Sequence, residues 1–160
     1  MSSSVPARPR MAAERARAVA GHRTAEPTDL RDVAAIKLLK ARYMEALNRK
    51  RWAELAACLT QDVSVSFEGG QRCFEGPAAV VQYLQDGLDL LNAVHFASAP
   101  RIAVSGGRTA TGVWNLRYRW HDPWDNTSLH GAGVYSDRYV KIGSSWLIAF
   151  TGITPADEGS

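Results

Sequence analysis

At about residue 94 the chain changes period. Upstream of it, apolar residues recur every three or four positions: Val33, Ile36, Leu39, Tyr43 and Leu47 in one run, Val80, Leu84, Leu88 and Leu91 in another. That spacing puts one buried stripe on each of two helices. Downstream, apolar and polar residues alternate through four extended runs, about 94–104, 109–121, 130–142 and 145–153. Ser105-Gly106-Gly107, Pro123-Trp124-Asp125-Asn126 and Gly143-Ser144 separate the runs with turn-forming residues. Links this short predict an antiparallel four-stranded meander. A sheet with one apolar face must be covered, and the upstream helices are the available cover. The expected class is α+β, with three N-terminal helices packed on a curved antiparallel sheet.

Order is expected to begin near Thr28-Asp29, a plausible N-cap after Pro27. Asn48-Arg49-Lys50 is a polar break, and Trp52, Leu55 and Leu59 predict a short helix over 52–59. Val63-Ser-Val-Ser-Phe67 alternates as a half-buried strand does, and Glu68-Gly69-Gly70-Gln71 is a turn leading into a short return strand ending near Phe74. Gly76-Pro77 opens the next helix, since proline is favoured at the first helical position.

A chain of 160 residues with 46% hydrophobic content has the size and composition of one globular domain. Its charge is unevenly placed. Residues 1–28 hold five arginines and two glutamates and so carry the whole formal net charge of +3, leaving the remainder neutral. That removes the basic stripe a nucleic-acid binder needs. The Arg-, Ala-, Ser- and Pro-rich segment 1–28 reads as a disordered extension, and 154–160 as a C-terminal tail. No apolar run reaches the roughly 18–20 residues needed to span a bilayer, so a soluble, cytoplasmic protein is expected, with no membrane partner. Cys58 and Cys73 fit no metal-ligand spacing and read as free thiols.

Several short segments, taken in order, resemble the NTF2-like superfamily, in its SnoaL-like and scytalone-dehydratase-like branch. They are Tyr43-Met-Glu-Ala-Leu-Asn48 with Trp52 after it, Thr60-Gln-Asp62-Val-Ser-Val, Phe74-Glu-Gly76, His95-Phe96, and Tyr135-Ser-Asp137-Arg-Tyr139 followed by Trp146-Leu-Ile. The resemblance spans about residues 29–153. It implies a cone, with the curved sheet and helices enclosing a deep pocket, and a homodimer formed through the outer sheet face. Family members include dehydratases, isomerases, cyclases and proteins without catalysis, so the fold does not by itself choose a function.

The resemblance implies a catalytic histidine at His95 and a hydrogen-bonding phenol at Tyr43. Dehydratases of this type pair the histidine with an aspartate at the end of the first helix, where this chain has Asn48. A histidine base needs a partner on its second ring nitrogen to fix its tautomer and stabilise the imidazolium. Asn48 is expected to orient His95 by hydrogen bonding, without the charge. Other positions depart further. Phe67 stands where scytalone dehydratase has a water-orienting tyrosine, Trp114 where it has a second histidine, and Gly133 and Tyr135 where it has serine and asparagine. The aspartate base of ketosteroid isomerases is missing as well, Phe67 and Glu68 occupying that neighbourhood.

Aromatic residues take the place of the missing polar groups. Trp114, Leu116, Tyr118 and Trp120 share one face of their strand by period 2, which the alignment turns toward the pocket. Trp52, Phe67, Phe96 and Tyr135 complete the candidate lining. Trp120-His121-Asp122-Pro123-Trp124-Asp125 is a candidate cover for the pocket mouth, with Asp122 or Asp125 supplying a carboxylate. His121, Asp122 and His130 match no metal-site spacing, and Asp137 and Arg138 read as a structural pair. The expectation is a cofactor-free acid–base enzyme, a dehydratase, isomerase or cyclase, acting on an apolar cyclic or polyketide-like small molecule. Two other readings stay open: a base-free pericyclic cyclase that works by shape, and a non-catalytic binding protein.

Overall fold

A computed structural model describes residues 27–156; the extension up to residue 26 and the last four residues lie outside the described part. The order is α1 (Pro27–Asn48), α2 (Trp52–Ala57), β1 (Leu59–Phe67), a 3₁₀ turn (Glu68–Gly70), β2 (Arg72–Glu75), α3 (Pro77–Leu88), β3 (Asn92–Ser105), β4 (Thr109–Asp122), β5 (Thr127–Ile142) and β6 (Ser145–Pro155).

Each helix follows its stripe. Ile36, Leu39, Tyr43 and Leu47 are buried along one side of α1. Helix α1 is already under way at Pro27, so Thr28-Asp29 is not its cap. Helix α2 stops at Ala57, and Leu59 belongs instead to β1, opposite Ile148 of β6. Gly76 precedes α3 with φ +84°, a backbone conformation glycine reaches without steric cost, and Pro77 follows as the first helical residue.

The sheet has six strands in the order β2-β1-β6-β5-β4-β3 and is curved and unclosed. The meander β3 to β6 is antiparallel, with the expected turns at Gly106-Gly107 and Gly143, all at positive φ. The early hairpin is not separate from it. Strand β1 runs parallel to β6, pairing Val65 with Thr151 and Ser66 with Gly152, and so extends the meander to six strands. A local alternation pattern gives strands and faces but not this non-local neighbour. Strand β6 also continues through Thr154 and Pro155, which had read as tail. Register shifts bend the sheet, one of them between Ser98 and Arg101 of β3, where Ala99 takes φ +50° before Pro100.

Helix α1 lies against the concave face, and a polar cluster fixes it there. Lys40, 1% exposed, donates to Asp137 Oδ2 at 2.7 Å. The Tyr139 hydroxyl donates to the same oxygen, and Thr151 Oγ1 donates to Oδ1, each at 2.7 Å. Trp114 Nε1 in turn donates to the Tyr139 hydroxyl at 2.9 Å. Asp137 therefore pairs with Lys40, not with Arg138, which lies over the Phe150 ring on the opposite face. Neighbouring residues on a strand point to opposite faces, so an Asp-Arg dipeptide cannot pair across a packed sheet. A second anchor ties the start of α1 down: Trp146 Nε1 donates to Asp32 Oδ1 at 2.9 Å, and Lys141 Nζ at 3.2 Å.

Candidate functional site

A cavity of about 610 Å³ lies between the concave sheet face and helices α1 and α3. Period 2 selects its floor. Leu116, Tyr118 and Trp120 of β4 face it, and their cross-strand neighbours on that face are Ala97, His95 and Ala93 of β3 and Gly133, Gly131 and Leu129 of β5. Gly131 makes room for this floor, because a Cβ there would fall on the Tyr118 hydroxyl and lie 2.5 Å from its Cζ unless that ring shifted. Helix α1 contributes Tyr43 and Leu47, and α3 contributes Tyr83, Leu84 and Leu88. Phe67 closes the β1 side, with its ring stacked on Tyr83 at 5.5 Å between centroids.

His95 and Tyr43 both line this cavity. The His95 ring stacks on Tyr118 at 6.1 Å. Burial pushes its pKa down to about 4, so the imidazole is neutral and able to accept a proton at ordinary pH. Its Nδ1 is buried with no hydrogen-bond partner. Tyr43 is buried too, and burial, followed by the Asp137 carboxylate, raises its pKa, which keeps it a phenol and a donor.

Asn48 sits beside His95 but does not orient its ring. Its Nδ2 donates to the His95 carbonyl at 2.9 Å, while the His95 N–H donates to its Oδ1 at 2.8 Å. Strand β3 is at the edge of the sheet, with unpaired backbone groups on one side. The Asn48 amide satisfies both groups of one residue as a neighbouring strand would. The expected side-chain contact is thereby replaced by a bracket on the backbone.

Three candidate lining residues lie elsewhere. Phe96 follows His95 directly, so it faces outward, opposite Arg117, and is 59% exposed. Trp114 is on the inner face, but α1 covers that end of β4, and its ring borders a smaller groove of about 380 Å³ between α1 and β3. Trp52 points to the end of α3, where its Nε1 donates to Asp89 Oδ1 at 3.2 Å. Phe67, Leu116, Tyr118, Trp120 and Tyr135 do line the larger cavity. The β4–β5 loop does not bring a carboxylate to it. Asp122 Oδ1 accepts from the Trp124 N–H and Asp125 Oδ1 from the Thr127 N–H, so both cap their own turn, and Trp124 is 95% exposed.

The cavity also has groups that the sequence reading passed over. Tyr83 donates to Glu68 Oε1 at 2.9 Å at the rim, and burial, with this bond and the charge of Glu68, raises its pKa to about 12. Its signal was present, since Tyr83 stands three residues after Val80 on α3. Lys40, which borders the smaller groove instead, was legible in the same way, four residues after Ile36 and three before Tyr43 on the buried stripe.

A curved six-stranded sheet with a helix across its concave face and an apolar cavity between them is the form of a SnoaL-like fold. The SnoaL-like domain family matches residues 28–151, and the chain belongs to that family. Its fold is similar to solved structures of low sequence identity. One is a candidate scytalone dehydratase from Novosphingobium aromaticivorans, with TM-score 0.75 and 20% identity, covering 81% of this chain and 87% of that one. Another is Rv3472 of Mycobacterium tuberculosis, described as of unknown function, with TM-score 0.71, 23% identity and coverage of 84% and 78%. A third is the hexachlorocyclohexane dehydrochlorinase LinA-type3 from Novosphingobium barchaimii, with TM-score 0.70, 17% identity and coverage of 82% and 94%.

Proposed function

We propose that this protein is a cofactor-independent lyase, isomerase or cyclase acting on an apolar cyclic or polyketide-like small molecule. One observation carries the reading: a neutral, desolvated histidine and a buried phenol line the same largely apolar cavity. His95 takes a proton from carbon next to a carbonyl, and Tyr43 donates to the carbonyl oxygen as it gains charge. Dehydration, isomerisation and cyclisation all begin with that step. Similar structures described as a candidate dehydratase and as a dehydrochlorinase support an elimination. Trp120, Tyr118, Leu116, Phe67 and Tyr135 supply flat apolar walls for the ring.

The test is incubation with a panel of β-hydroxy ketones and polyketide-like intermediates, read by mass spectrometry beside His95→Ala. Loss of 18 mass units that disappears in the variant supports a histidine-dependent dehydratase. A same-mass product that survives the substitution supports the second reading, cyclisation by shape. The unpartnered Nδ1 of His95 favours this alternative, because no carboxylate contacts it to stabilise an imidazolium. Binding without turnover supports an accessory protein. The same reading includes a homodimer through the outer sheet face, where Phe96 is exposed beside Arg117 and Arg119, in a cytoplasmic protein. Sedimentation of the purified chain tests the dimer. Among the described residues no helix is long and apolar enough to cross a membrane.

A further inference from the structure

We propose that Tyr135 is a second hydrogen-bond donor beside Tyr43, and that the two phenols form one site for the carbonyl, enolate or phenolate oxygen of a flat cyclic ligand. This rests on the reading of the cavity as a substrate pocket and deepens it.

Buried hydroxyls are nearly always paired. The tyrosines here divide on that rule. The Tyr139 hydroxyl accepts from Trp114 and donates to Asp137, and the Tyr83 hydroxyl donates to Glu68. Tyr43 and Tyr135 are each 1% exposed and both line the cavity; no side-chain hydrogen bond among the described residues uses either hydroxyl, and neither oxygen is among the fully buried unpaired atoms, so each keeps contact with the cavity space. They also come from different elements to one place. The Lys40 ammonium lies 3.6 Å from the centre of the Tyr135 ring and 5.2 Å from that of Tyr43.

The sequence dictates that convergence. Tyr43 stands three residues after Lys40 on α1, so the two share a helix face. Tyr135 stands two residues before Asp137, so the two share a sheet face. The Lys40–Asp137 pair joins those faces and brings the two rings over one cation. Burial comes first for both, followed by the Asp137 carboxylate for Tyr43 and by the Tyr43 phenol and then Asp137 for Tyr135; these hold both groups in the phenol form, so both remain donors at ordinary pH. Two fixed donors in a largely apolar cavity suit an oxygen on which charge develops. Leu116, Tyr118 and Trp120 lie along the remaining floor, which limits the rest of the ligand to apolar rings.

The experiment is a fluorescence titration of the full chain with 2-naphthol, its more acidic 6-cyano derivative, and naphthalene, which has the same rings and no oxygen. Tyr43→Phe and Tyr135→Phe are run in parallel after a check of their melting curves. The expected order of affinity is cyanonaphthol, then naphthol, then naphthalene. Each substitution lowers naphthol affinity about five- to tenfold and leaves naphthalene unchanged, the scale of one hydrogen bond. Equal binding of naphthol and naphthalene by the native protein overturns the oxygen site. A preference for naphthol that Tyr135→Phe does not reduce overturns the pairing while leaving the aromatic pocket intact. If none of the three binds, the apolar-ring pocket itself falls and the pairing with it.

Discussion

A primary amide holds a donor and an acceptor at one end, and Asn48 uses both on the backbone of His95. Aspartate cannot replace it there, because a carboxylate would face the His95 carbonyl with no proton to share. Asn48→Asp is therefore expected to cost about 1–3 kcal/mol, the scale of an unsatisfied buried group. The new charge beside the ring raises the His95 pKa above about 4. Urea denaturation measures the first effect and histidine NMR titration the second; an unmoved titration would mean that residue 48 does not reach the ring environment. The native His95 pKa predicts a pH effect of its own. It is lowered from 6.5 to about 4 by burial, so between those values the unfolded chain binds the additional proton. Stability is then complete above about pH 6.5 and falls as pH drops toward 4. His95→Gln flattens the melting temperature across that window; an equally steep fall in the variant would assign the loss to other groups. At this scale the sequence was legible for which residues reach the cavity and less so for what they touch. His95 and Tyr43 were placed at the cavity by their position in the sequence. The partner of Asn48 was not, because side-chain identity does not tell a ring nitrogen from a strand edge.

At the scale of elements, period 2 chose the cavity floor correctly along the far half of β4 and misled at its near half. Trp114 shares a face with Leu116, Tyr118 and Trp120, yet α1 crosses above it and leaves only the others facing the cavity. Alternation gives the face of a strand; where along that face a helix lies is a matter of tertiary packing. The same alternation, applied to β3, would have placed Phe96 outside, opposite His95. Strand β1 beside β6 was hidden for a different reason, since parallel neighbours distant in sequence leave no local turn signal. Pairing of β4 with β5 makes its own prediction. Gly131 lies opposite Tyr118, and any Cβ there meets the phenol ring. Gly131→Ala is expected to push Tyr118 toward His95 and shrink the cavity, weakening ring binding at least tenfold at a stability cost of about 1–3 kcal/mol. Naphthalene titration and urea denaturation read the two effects. Unchanged affinity would mean that Tyr118 is not part of the working floor.

Over the whole molecule, helix layer and sheet meet through one charge pair more than through any feature that composition reveals. The described elements rest on an apolar core, but Lys40 at the middle of α1 and Asp137 at the middle of β5 lie deep within it. Burial lowers the Lys40 pKa while the Asp137 carboxylate opposes that shift, so the ammonium depends on its partner. A buried pair contributes little net stability over an apolar pair of the same shape, whereas half of one is strongly unfavourable. Its effect here is to fix how α1 sits, since Asp137 also takes the hydroxyls of Tyr139 and Thr151. Lys40→Met should therefore cost about 3–5 kcal/mol by leaving the carboxylate unpaired. Lys40→Met with Asp137→Asn should recover part of that loss, because the amide oxygen still accepts from a hydroxyl and no charge remains. The recovery should stay incomplete, because Asp137 accepts from three donors with two oxygens and one amide oxygen cannot serve both sides. Urea denaturation of the native chain, the single and the double variant should give stabilities in the order native, double, single. A double variant no more stable than the single would locate the loss in helix packing rather than in the stranded charge.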